Sequence, residues 1–384
     1  MRVAVGLASA LALRGHRIHL IARTPPPGSR RRASRVTFHG LRGGRERLTS
    51  HLEADWSPSD LESFLDLVLS VIASADLDVL HFHYAVPFGE IAARVRHRLG
   101  AAGPRLVMTL HGTDVSSLDG DPDTGHVIGR TLTGLDGLTT VSNSHAKLST
   151  DVFGFERPPE VIPNFVDLQT FRPRRTLGVP TGASIRRRPR IAHVSNFRPV
   201  KDPERVARVF ARVRDQLDAE LWLIGDGDGM GSVRAILRGA GVERDVRYFG
   251  LRREVHRILP RCDLMLLTSR TESFCLAALE AAASGVPAVA PRVGGLPEVI
   301  AERRTGLLYE AGNEEEAVRA VLQLLADDEL RLAMGRAAVR RAHRFSREAV
   351  VVRYERLYRD VLVGGASVPY PAPAATPVFT VASA

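Results

Sequence analysis

The 384-residue chain is 44% hydrophobic and 25% charged, an ordinary globular balance, and at roughly 100–200 residues per domain its length suits two domains. Its two cysteines, Cys262 and Cys275, exclude a disulfide framework, and no apolar run approaches the ~20 residues of a membrane span, so a cytoplasmic protein with reduced thiols and no stable membrane insertion is expected. The net charge of +10 comes almost wholly from arginine; the clusters at 30–32 and 186–190 read as solvated loops, and without an aromatic-interleaved basic stripe no nucleic-acid partner is expected.

In chain order, the first pattern is helical. Val3, Leu7, Ala8, Ala10 and Leu11 form an apolar stripe that ends before Gly15. A nucleotide-binding half should instead open on a strand and a glycine-rich turn. That strand and glycine loop are missing from the pattern, and Gly6 alone does not replace them. The expectation is that Met1 is a misplaced start and that the natural product extends further N-terminally.

Short β-rich runs then alternate with helical stretches, the signature of parallel sheets with crossover helices. Strands are predicted near Ile18–Ala22, Val36–His39, Val79–His83, Leu106–Leu110, Leu138–Val141 and Glu160–Ile162. The Arg- and Pro-rich segment 164–189 reads as an interdomain linker. The pattern restarts with strands at Ile191–Ser195, Leu221–Ile224, Val246–Phe249, Leu264–Thr268 and Ala288–Ala290, and helices at 203–217, 274–284, 314–326 and 328–343. The expected division is a first domain over 1–172, a second domain over 173–345, a helix over 346–363 crossing back to the first domain, and a disordered tail over 364–384.

Three groups of residues carry chemistry. Thr109-Leu-His111-Gly-Thr113-Asp114 follows an apolar strand, and Gly112 suits a turn that a substrate approaches closely; Asp114 fits a helix cap equally well. Ser195-Asn-Phe-Arg198-Pro-Val-Lys201 follows the first strand of the second half, where open α/β sheets bind ligands, and its two cations suit a diphosphate. Lys201 is one of only two lysines, the other being Lys147, which points to a place where a compact ammonium is needed. Glu272-Ser-Phe-Cys-Leu-Ala-Ala-Leu-Glu280 sets one carboxylate at a strand-to-helix turn and another two turns into an otherwise apolar helix, where a stray charge would be costly. Gly294-Gly295-Leu-Pro-Glu298 follows, and Asp226 between Gly225 and Gly227 reads as a turn near a nucleotide.

The run from Glu272 to Ile300 resembles the donor-binding signature of the family-4 retaining glycosyltransferases, whose GT-B fold sets two Rossmann-like α/β domains across a cleft. The resemblance implies that Glu280 binds the ribose of a uridine nucleotide and Glu272 the sugar hydroxyls. Backbone groups of Phe274, Cys275 and Leu276 would meet sugar and phosphate, Arg198 and Lys201 would grip the diphosphate, and His111 would sit beside the donor sugar. Cys275 stands where the family has glycine, which puts the geometry of that turn in question.

Transfer would proceed with retention, the departing diphosphate helping to deprotonate the acceptor. No cofactor is expected beyond the UDP-sugar co-substrate. No metal is expected either, although Asp121-Pro-Asp123 and Asp226-Gly-Asp228 have the spacing for one. Within the family, the strings His81–Pro87, Thr109–Asp114, Pro163–Asp167 and Ser195–Asp202 resemble members that join N-acetylglucosamine from UDP-GlcNAc to L-malate in bacillithiol-type biosynthesis. Tyr84, Thr113 and Asn164 are then the acceptor candidates, with homo-oligomer formation left open. The alternatives are mycothiol-type transfer to an inositol phosphate and an N-terminally truncated, non-catalytic sugar-nucleotide binder; a nucleotide-sugar epimerase would leave the malate-type strings unexplained.

Overall fold

A computed structural model of the protein describes residues 2–24, 35–41, 56–173 and 187–364. The first half holds β1 (Ile18–Ala22), β2 (Val36–Gly40), β3 (Val79–His83), β4 (Arg105–Leu110), β5 (Gly137–Thr140) and β6 (Glu160–Val161). The second holds β7 (Arg190–Val194), β8 (Glu220–Ile224), β9 (Val246–Gly250), β10 (Leu264–Leu266), β11 (Ala288–Pro291) and β12 (Gly306–Tyr309). Every strand pair is parallel.

The second half is one six-stranded sheet in the order β12-β11-β10-β7-β8-β9. Parallel sheets need cover on both faces, and the strands read as continuous apolar runs for that reason. Alternate residues divide between the faces. Ile191, Leu221, Leu223, Leu264, Leu266 and Val289 pack with helices Pro203–Arg214 and Glu314–Ala326. Ala192, Trp222, Ile224, Met265, Ala288 and Ala290 pack against the helix Leu276–Ala283 on the other face.

The first half differs. Its strands form two separate pieces, β1-β2 and β3-β4-β5-β6, and β1 and β3 share no ladder among the described residues. All five residues of β1 are only half-buried, whereas five of the six in β4 are buried. The opening stripe folds as the helix Arg2–Leu13. Helix Arg347–Leu362 lies against it, burying Val350, Val351, Tyr354, Leu357 and Val361 with Leu7, Leu11, Val107 and Ile162.

Several expectations need correction. Helix Leu276–Ala283 starts later than the pattern implies, so Glu280 sits about one turn inside it rather than two. The cluster at 187–190 is not a solvated loop: Arg187 pairs with Asp263, Arg188 with Asp245, and Arg190 begins β7 beside Glu220. Part of the anticipated linker is core, because Val166 and Phe171 are buried. β12 and the helix Pro58–Ala75 were not anticipated; the latter starts with a capping box in which Ser57 and Asp60 satisfy each other's backbone N–H. Arginines 30–32, linker residues 174–186 and tail residues 365–384 lie outside the described residues. Among the described residues, no helix is long and apolar enough to cross a membrane.

Candidate active site

All the residues singled out by chemistry lie beyond the carboxyl ends of strands or on the helix that follows. Tyr84 follows β3, His111 and Thr113 follow β4, and Asn164 follows β6. Arg198 and Lys201 follow β7; Glu272, Phe274 and Cys275 follow β10, with Leu276 opening the helix that carries Glu280. Open parallel sheets place ligands at this edge.

The first-domain loops are held by Asp114. Its buried carboxylate accepts from the backbone N–H groups of His111, Gly112 and Ala85. It therefore clips the turn after β4 to the turn after β3 rather than acting as a simple helix cap. Tyr84 sits at φ 78, a strained conformation for a non-glycine residue, with its ring centroid 4.8 Å from that of His111. His81, His83 and His111 stack in sequence, with centroid separations of 4.5 and 5.1 Å. His83 Nδ1 and His111 Nε2 are 2.8 Å apart and share one proton. Burial holds His81 and His111 down at about 3 and depresses His83 as well, so the stack is neutral at pH 7. His81 is anchored by Thr109 and by Tyr358 on the returning helix.

On the second-domain side, Lys201 Nζ donates to Glu272 Oε1 at 2.7 Å, and Ser269 Oγ donates to the same oxygen at 2.7 Å. The Glu272 side chain is 8% exposed and that of Lys201 22%, so the pair is desolvated but reachable. Glu280 is buried at 4% exposure on an otherwise apolar helix. The Phe274 side chain belongs to the core, its ring edge-on to Phe345 at 5.7 Å, which leaves only its backbone for a ligand. Cys275 adopts φ 75 and ψ 79. The left-handed turn thus survives without glycine, at a cost of about 1–2 kcal/mol for a residue with a Cβ. Burial, with Glu272 nearby, pushes the Cys275 thiol far up, and it stays protonated.

The turns rest on glycines that no other residue would replace. Gly294 has φ 50, and an added Cβ would lie 1.9 Å from the carbonyl oxygen of Glu272. Gly225, at φ 119, meets the carbonyl oxygen of Ser195 at 1.8 Å in the same way. Asp226, in the turn beside it, accepts from the N–H of Gly227. Asp121 of the other Asp-x-Asp spacing caps the helix Pro122–Leu132. Among the described residues, no three His, Cys, Asp or Glu side chains converge as metal ligands.

The two halves meet directly at these loops. Ser273 Oγ donates to the carbonyl oxygen of His111 at 2.5 Å, and Ser142 Oγ donates to the carbonyl oxygen of Ser273 at 2.6 Å. Burial and the charge of Asp114 raise Tyr84 to about 12, while the charge of Arg198, from the other half, opposes the rise. Glu298 accepts from Asn143 N, Asn143 Nδ2 and Ser144 N at 2.8–2.9 Å, capping a first-domain helix from the second domain. Sequence reasoning placed Glu298 in a donor motif and missed this clasp, which only the packed chain brings together. The Ser142, Ser273 and His83 contacts were missed for the same reason.

Sequence comparison agrees with this division into halves. The family described as Glycosyltransferase Family 4 matches residues 2–170, and that described as Glycosyl transferases group 1 matches residues 183–341. The chain is 33% identical over 362 residues to the N-acetyl-alpha-D-glucosaminyl L-malate synthase of Bacillus anthracis, covering 94% of this chain and 93% of that one. Among solved structures, a sucrose-phosphate synthase from Thermosynechococcus elongatus superposes with TM-score 0.77 at 20% identity, covering 93% of this chain and 92% of that one. Anabaena HepE in complex with UDP superposes with TM-score 0.73 at 17% identity, covering 94% and 95%. At such identities these two report the fold, which is GT-B. Near-complete alignment with a curated relative and matches to both halves agree with the strand-end loops described above: the chain belongs to glycosyltransferase family 4, a family of retaining UDP-sugar-dependent transferases.

Proposed function

We propose that this enzyme transfers N-acetylglucosamine from UDP-GlcNAc to L-malate with retention, as a step of bacillithiol-type biosynthesis. The observation that carries the acceptor is the 33% identity to the Bacillus anthracis L-malate synthase along 94% of the chain. Arg198 and Lys201 take the diphosphate, and arrival of that anion exchanges Lys201 from Glu272 to phosphate, freeing the carboxylate for sugar hydroxyls. Glu280 takes the ribose diol, while the backbone of Phe274, Cys275 and Leu276 lines sugar and phosphate. The acceptor hydroxyl loses its proton to the departing diphosphate, whose charge the two cations stabilise without a metal. Neutral His111 stands beside the sugar as a hydrogen-bonding group and not as a cation.

Tyr84, Thr113 and Asn164 hold the small dianionic acceptor. Asn164 supports this reading because its buried side-chain oxygen has no hydrogen-bond partner among the described residues. Such an acceptor costs about 1–3 kcal/mol unless a ligand satisfies it. The domains in this reading are 1–172 and 173–345, with helix 346–363 returning to the first. Incubation with UDP-GlcNAc and EDTA, with L-malate and D-inositol 3-phosphate as competing acceptors, should yield only the malate product by mass spectrometry. Product on the inositol phosphate alone would transfer the enzyme to the mycothiol-type reaction, and a requirement for divalent metal would overturn the mechanism.

The first sheet is completed, in this reading, by one more parallel strand between β1 and β3. The second sheet supports this: in its order, β7 occupies the place between β8 and β10 that the described residues of the first sheet leave open. A strand with a glycine turn in that place would add backbone N–H donors at the cleft. Supplying such a segment, about 15–25 residues long, should raise the melting temperature and the transfer rate. Equal melting and equal rates with and without it would refute the idea.

A further inference from the structure

Away from the sugar-nucleotide loops, the second domain carries a concentration of unneutralised charge. Arg340 and Arg341 on the helix Asp328–Ala342, Arg344 just beyond it, and Arg304 on the turn before β12 line one cavity with Ala301 and Thr305. The cavity measures about 210 Å³. That is room for several ordered waters or for a small anion such as a phosphoryl group.

These arginines differ from many others among the described residues. Arg187, Arg188, Arg205, Arg208, Arg214 and Arg331 each reach an aspartate or glutamate. Among the described residues, Arg304, Arg340, Arg341 and Arg344 form no ion pair. Arg341 is half-buried and spends two donors on backbone: Nε on the carbonyl oxygen of Val299 at 2.7 Å and Nη2 on that of Glu298 at 2.5 Å. Nη1 and one Nη2 proton remain for a ligand. Burial, then the charges of Arg344 and Arg304, lower the Arg341 guanidinium from its ordinary range, and no carboxylate offsets them.

Four like charges around one concavity repel one another, and a bound anion would remove that repulsion while accepting from planar guanidinium donors suited to phosphate. We propose that this cavity is a second anion site, separate from the sugar-nucleotide site, which binds a small soluble phosphate-bearing anion of one or two phosphoryl groups. A membrane surface fits less well, since none of the exposed large apolar side chains (Leu13, Leu251, Val352, Leu362 and Val363) lines the cavity. The site shares Arg341 with the Glu298 clasp to Asn143 and Ser144, so its occupant bears on the segment that joins the two domains.

The probe is inorganic pyrophosphate, titrated calorimetrically into the full chain with UDP kept saturating so that the donor site is closed to it. The expected result is one further anion per chain, with affinity falling as salt rises. Arg340→Gln with Arg344→Gln should weaken it by about tenfold or more per arginine. Both side chains are exposed, so the unliganded double variant should melt no lower than the wild type. Arg252→Gln with Arg253→Gln, two exposed arginines elsewhere, should bind as the wild type does. Equal binding by the cavity variant, equal loss in the control, or attachment only to phosphatidic-acid vesicles with no binding of soluble pyrophosphate would overturn the proposal.

Discussion

Replacing Lys201 with alanine should lower the turnover number about 10²–10³-fold, the usual loss when one preorganised donor to a developing anion is removed. Lys201 has two duties. It neutralises Glu272, whose carboxylate is nearly buried, and in the proposed mechanism it exchanges onto the diphosphate when the donor arrives. The alanine variant should therefore also lose stability, because it strands a buried charge. Combining Lys201→Met with Glu272→Gln separates the two effects: the melting temperature should recover while the rate stays low. Lys201→Arg should recover only part of the rate, since a planar fork does not replace a compact ammonium. Full turnover in Lys201→Ala would remove the cation from the mechanism.

The second large effect is expected at Gly294. A Cβ there falls 1.9 Å from the carbonyl oxygen of Glu272, and φ is 50. Neither loop can yield cheaply, because Gly295 N donates to that same carbonyl at 2.8 Å. Gly294→Ala should cost about 3 kcal/mol or more, lowering the melting temperature of the second domain by roughly 6–12 °C. Donor binding should weaken with it, since Glu272 belongs to the displaced loop. Gly239 provides the contrast: it ends a helix, and nothing lies within 4 Å of an added Cβ. Gly239→Ala should leave stability unchanged or raise it by up to about 1 kcal/mol. Thermal melts of the two variants compare them directly.

The second sheet was readable in advance because its physics is local. Runs such as Glu220–Ile224 and Ala288–Pro291 must be apolar on both faces, and the helices between them carry a 3.6-residue stripe. The candidate donor residues stood out for a related reason: Glu272, Glu280, Arg198 and Lys201 are charges at strand-end loops or on an otherwise apolar helix. What stayed hidden depends on distant partners. Glu298 looks like one more motif carboxylate until the fold sets the helix starting at Asn143 in front of it. Arg187–Arg190 look like a free basic loop until Asp263, Asp245 and Glu220 arrive from other strands and turns. Cys275 made the turn after β10 look altered, yet the packing around it outweighs the left-handed penalty and the glycine conformation persists.

The central claim is retaining transfer from a UDP-sugar held between the β10 turn and the loops after β3 and β4. The measurement that tests it most directly is proton NMR of the product formed from UDP-α-GlcNAc and L-malate, read at the anomeric position. A front-face reaction assisted by the departing diphosphate, with no protein nucleophile, predicts an α-linked product from the first turnover onward. A β-linked product would mean inversion by a protein base on the opposite face, and that would contradict the proposed roles of Arg198, Lys201 and Glu272.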